Sequence, residues 1–104
     1  MKNNMINKLV FYLTFFNHSV DLALDGILNK QLDSGISECT SSRFYINITF
    51  KTGVKAILWN ENKWYGWLSE GNIGNYTWNN VRPRRKTMWR LKKEIEKYFI
   101  ENHV

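Results

Sequence analysis

Eight basic side chains are concentrated between residues 82 and 97. Only Glu94 and Glu96 oppose them, so this segment carries the chain's entire net charge of +6, and the rest is balanced at seven basic and seven acidic residues. Guanidinium groups bind phosphate through a planar fork of N–H donors, and ammonium groups bind it as point charges. The segment is therefore suited to binding an anionic partner. Its basic members are Arg82, Arg84, Arg85, Lys86, Arg90, Lys92, Lys93 and Lys97.

Aromatic side chains accompany this charge. The 104 residues include five Trp, of which Trp89 lies inside the basic segment, while Tyr65 and Trp67 share one face of a predicted strand. Exposed rings stack on nucleobases and form hot spots of protein interfaces. Buried rings fill the core of a small domain. The sequence leaves open which of the Trp residues are exposed.

Residues able to catalyse a reaction are sparse. Cys39 lies in a polar stretch with no neighbouring base, His18 lies at a predicted helix start, and His103 lies next to the last residue. Two His and one Cys do not make a zinc site. Asp21 and Asp25 share a helix face, but a metal-dependent nuclease needs a further acid. We therefore expect a protein that is not an enzyme and that holds no metal or other cofactor.

Composition narrows the class of protein further. A lone cysteine excludes an internal disulfide framework. The apolar run from Leu9 to Phe16 is too short to span a bilayer, and no signal-peptide cleavage site follows it. We expect a single cytoplasmic domain over residues 1–104 that does not engage membranes. The abundance of Asn, Lys and Ile is typical of AT-rich coding DNA, as in low-GC bacteria and their phages.

The first third of the chain is predicted to be helical, over residues 1–33. Apolar residues recur at helical spacing, and Ser19 is expected to cap a helix from Val20 to about Leu32. For residues 9–16, helix and strand both remain open because aromatic and β-branched residues crowd that stretch.

In the middle of the chain, apolar and polar residues alternate, which is typical of strands in an antiparallel sheet. Phe44, Ile46, Ile48 and Phe50 alternate with more polar residues, and Thr52-Gly53 predicts a turn. A three- to four-stranded meander over residues 43–78 follows, with a weak last strand from Ile73 to Trp78.

A C-terminal helix is predicted over residues 84–101, which makes the fold α+β. Its apolar stripe should pack on the sheet, and a basic row should lie opposite that stripe. Opposite charges four residues apart, such as Arg90 and Glu94 or Lys92 and Glu96, are also what an ordinary solvated helix face would contain. The basic row comprises Lys86, Arg90, Lys93 and Lys97.

Two functions fit this pattern. The first is a non-catalytic module that binds nucleic acid, DNA or RNA, or a nucleoprotein complex. The alternative is an inhibitor or adaptor from a phage or mobile element that binds and blocks a host protein complex, such as a nucleic-acid-guided defence enzyme. A homodimer through an edge strand is also open. The expected binding residues are Arg82, Arg84, Arg85, Lys86, Arg90, Lys93 and Lys97 for phosphate or an acidic partner, with Trp89, Trp67 and Tyr65 for stacking.

Overall fold

The fold is α+β, as the sequence predicts. A computed structural model describes residues 19–61, 63–69, 75–78 and 81–102. Within them lie two helices, five strands of an antiparallel sheet in the order β2-β3-β4-β5-β6, and a short parallel pair, β1 with β7. The bounds are β1 Ser19–Val20, α1 Leu22–Ser34, β2 Ile36–Ser41, β3 Tyr45–Phe50, β4 Lys55–Glu61, β5 Lys63–Ser69, β6 Asn75–Trp78, β7 Val81–Arg82 and α2 Arg85–Asn102. The expectations for residues 9–16, His18 and His103 lie outside the described residues.

The sheet has one more strand than the sequence predicts. Residues 43–78 hold four strands, within the predicted number, but the sheet begins earlier, because β2 occupies the polar stretch before residue 43 that was not predicted to be a strand. Cys39 is the one buried side chain of β2 and lies opposite Ile48, while Glu38 and Thr40 are exposed. Because an edge strand needs few apolar residues, its sequence resembles that of a loop.

The start of α1 also differs from the prediction. Ser19 does not cap a helix; it pairs with Val81 in the short parallel strand pair. Asp21 is the cap, and its carboxylate accepts hydrogen bonds from the backbone N–H groups of Ala23 at 2.9 Å and Leu24 at 3.1 Å. A carboxylate in this position also interacts favourably with the positive end of the helix.

Both helices contribute to one core with the sheet. Four residues of the predicted apolar stripe of α2, Met88, Leu91, Ile95 and Phe99, are buried, while Tyr98 is half-buried and Asn102 is exposed. The turn at Gly53 is confirmed by its φ of 92°, a conformation that glycine adopts without strain. Neither described helix has a stretch long and apolar enough to cross a membrane. The buried apolar residues are Leu24, Leu28, Leu32, Cys39, Ile46, Ile48, Phe50, Ala56, Leu58, Leu68, Met88, Leu91, Ile95 and Phe99.

Candidate anion-binding surface

The positive end of α2 is fixed to α1 through one carboxylate. Asp25 Oδ1 accepts a hydrogen bond from the backbone N–H of Arg84 at 2.7 Å and another from the hydroxyl of Thr87 at 2.5 Å. Asn29 donates from Nδ2 to Thr87 Oγ1 at 2.7 Å and to the backbone oxygen of Asp25 at 3.0 Å. Asp25 therefore positions the first turn of α2.

Asp21 and Asp25, which the sequence places on one face of a helix, both have structural roles. Asp21 caps α1, and Asp25 holds α2, so both carboxylates already accept hydrogen bonds from the protein. Across the described residues there is no group of three or more His, Cys, Asp or Glu that could hold a metal ion.

Arg90 contacts α1 and does not lie on the open surface with the other residues of the predicted basic row, Lys86, Lys93 and Lys97. Its Nη2 lies 2.5 Å from Asp33 Oδ1, and its Nη1 donates to Asn29 Oδ1 at 3.2 Å. The pair is half-exposed, so it contributes little to stability. It nevertheless compensates the charge of Arg90, in place of the predicted partner Glu94.

Arg82 is also built into the fold. It belongs to β7 and is half-buried, its Nη1 donates to the carbonyl of Pro83 at 3.2 Å, and its own carbonyl accepts from Asp21 N at 2.9 Å. Among the described residues its buried Nε has no hydrogen-bond partner. Arg82 therefore lies at the margin of the open surface.

The remaining predicted cations, from Arg84 just before α2 to Lys97 within it, form one exposed surface, which we call the α2 basic face. From residue 84 to residue 97, every position that is exposed is basic except Trp89. These positions extend about 20 Å along the helix at 1.5 Å per residue. The exposed basic members are Arg84, Arg85, Lys86, Lys93 and Lys97.

Trp89 lies within this face and is 53% exposed. Lys92 Nζ is 4.1 Å and Lys93 Nζ is 5.2 Å from the centroid of its ring, which are cation–π distances. The predicted pair between Lys92 and Glu96 is formed at 3.7 Å. Ile100, further along the helix, is 64% exposed.

Tyr65 and Trp67 belong to strand β5 of the sheet. Their side chains lie outside the described part of the structure, while their backbones pair with Trp59 and Ile57 of β4. Their positions alternate along β5 with Gly66 and Leu68, which are buried. The exposure of both rings therefore stays a prediction.

A groove of about 360 Å³ lies on the sheet and is a second candidate surface. It holds one acidic and one basic side chain, so it offers no net charge to an anion. Its lining comprises Glu38, Thr40, Asn47, Ile48, Thr49, Lys55, Ala56 and Ile57.

Comparison with known protein families, with characterised proteins and with solved structures finds no match to this chain. Function is therefore inferred from the chemistry of the chain itself, and the α2 basic face is the strongest candidate site.

The polar contacts between α1 and α2 were not predicted from the sequence. Asp25, Asn29 and Asp33 follow one another at intervals of four, which places them on one helical stripe. That spacing was the available signal, because a polar stripe inside a two-helix interface needs partners on the other helix. Arg90 and Thr87 are those partners.

Proposed function

We propose that this protein is a non-catalytic binding protein that engages nucleic acid, or a nucleoprotein complex, through the α2 basic face. The observation that carries the proposal is that, apart from Trp89, only basic side chains are exposed between residues 84 and 97. An ordinary solvated helix intersperses both signs of charge. A single-sign face of this length suits a polyanion.

The start of α2 supports the same function. Arg84, Arg85 and Lys86 are exposed at the end of the helix where the dipole is positive, which is unfavourable for cations in the free protein. A bound phosphate reverses this balance because it interacts favourably with the dipole and with the three cations together. Contacts of this kind go to the phosphate backbone, so we expect little sequence preference.

The test is fluorescence anisotropy of labelled single- and double-stranded DNA and RNA at low and near-physiological salt. The Arg84→Glu/Arg85→Glu protein should lose binding. The matched control is Lys30→Glu/Arg43→Glu, which makes the same change in net charge at exposed basic residues outside α2 and outside the groove on the sheet. If the control loses binding equally, binding follows net charge and the α2 basic face is not the site.

The second candidate function is that of an inhibitor or adaptor, from a phage or mobile element, that binds a host protein complex. The exposed Trp89 and Ile100 favour it, because aromatic and apolar side chains beside arginines are typical of protein hot spots. This function predicts no nucleic-acid binding even at low salt. It also predicts a stoichiometric complex with one host protein, which the Trp89→Ala/Ile100→Ala protein should not form.

A further inference from the structure

Trp89 is surrounded on the surface of α2 by basic residues only. The neighbours of a helical residue are those three and four positions away, and for Trp89 these are Arg85, Lys86, Lys92 and Lys93. An indole that is 53% exposed in such a setting is not a core residue.

The ring is also held in place. The ammonium groups of Lys92 and Lys93 lie 4.1 and 5.2 Å from its centroid, and Glu96 Oε1 and Oε2 lie 3.7 and 4.0 Å from those same two groups. Cation–π attraction and the shared carboxylate restrict the side chains on the C-terminal side of the ring. A ring held in this way loses little conformational entropy when a ligand stacks on it.

We propose that Trp89 stacks on an unpaired nucleobase while the basic residues before and after it bind the phosphates on either side of that base. The ligand of the α2 basic face is then single-stranded nucleic acid. This inference rests on the proposed function. Every base has a π-face on which an aromatic ring can stack, which makes such binding tolerant of sequence. In a duplex these faces are covered by the neighbouring base pairs, so phosphate contacts alone remain.

The experiment compares binding of a single strand and of a duplex of the same sequence, at one salt concentration, by anisotropy. Trp89→Leu should weaken single-strand binding about five- to hundredfold and leave duplex binding unchanged. Trp89→Phe keeps an aromatic face and should bind the single strand more tightly than Trp89→Leu does. Phe44→Leu is the matched control, because it makes the same kind of change at an exposed aromatic ring outside α2 and should change neither affinity.

The outcomes separate this inference from the proposed function. If Trp89→Leu weakens both ligands equally, or neither, the stacking role is wrong, while loss of binding in Arg84→Glu/Arg85→Glu still supports the α2 basic face. If the unsubstituted protein binds no oligonucleotide at low salt, both proposals fail, and the exposed ring belongs to a protein interface. Circular dichroism checks that each variant is folded.

Discussion

The salt dependence of binding should reveal how many cations contact phosphate. Sequence alone predicts seven, but the structure leaves five exposed on the α2 basic face, because Arg82 and Arg90 are half-buried. Each phosphate neutralised on a single strand contributes about −0.7 to the slope of log K against log salt. Five contacts therefore give a slope of about −3.5, and seven give about −5. At the smaller slope, affinity falls about a hundredfold between about 50 and 200 mM salt.

Two charge-removing variants make this prediction specific. Arg90→Gln/Asp33→Asn removes both members of the ion pair, leaves the net charge unchanged, and should keep the slope near −3.5, since neither group then contributes a contact. Arg84→Gln/Arg85→Gln removes two exposed cations and should reduce the slope to about −2. Both are measured by anisotropy titrations of one labelled single strand at several salt concentrations.

One pair of slopes would contradict the count of five phosphate contacts. A slope near −5 in the unsubstituted protein that becomes shallower in Arg90→Gln/Asp33→Asn would mean that Arg90 leaves Asp33 and contacts phosphate. The ion pair would then be only a resting arrangement of the free protein. Far-ultraviolet circular dichroism of the same samples excludes loss of the helix as the cause.

Two further predictions test the fold that presents the surface. Asp25→Ala should lower the free energy of unfolding by about 2–3 kcal/mol, because it removes the acceptor of the Arg84 N–H and Thr87 hydroxyl bonds. Asp21→Ala removes only a helix cap and should cost about 1 kcal/mol; urea denaturation followed by circular dichroism compares the two, and equal losses would argue against the interhelical role of Asp25. Cys39 is 4% exposed, so a thiol reagent should label it only on unfolding. Rapid labelling of the native protein would contradict the pairing of β2 with the sheet.

The elements that could be predicted are those whose pattern repeats. Strand β3 alternates strictly, and α2 carries apolar residues at helical spacing, so each pattern identifies the element and most of the face that it buries. The exception is Phe44, which belongs to the alternating set but lies before β3 and is 60% exposed. Strand β2 could not be found in this way, because a single buried residue, Cys39, has no periodicity. Its place in the sheet depends on pairing with β3, which is a tertiary contact.

The sequence predicts where positive charge is concentrated, but it does not predict which of the basic side chains are exposed and able to bind a ligand. The partner that sequence spacing suggests for Arg90 is Glu94, whereas the structure gives it Asp33, which lies 57 residues away. Local spacing favours pairs along one helix. The packing of α1 against α2 offers a competing carboxylate that no local rule can identify, and this competition decides which cations remain on the open face.

The acidic residues around α2 are not distributed as on an ordinary solvated helix. Asp25 and Asp33 compensate the inner side of α2 from the neighbouring helix, and Glu94 and Glu96 are half-buried. Solvation alone would favour these carboxylates on the outer surface among the cations, and the helix dipole would favour acids in the first turn. The outer face has no exposed acid among its cations and no acid in the first turn. Its exposed charged residues, from Arg84 at the positive end of the helix to residue 97, are all basic. Such an arrangement becomes more favourable once an anion lies along it, so this distribution of charge supports the proposal that the α2 basic face binds a polyanion.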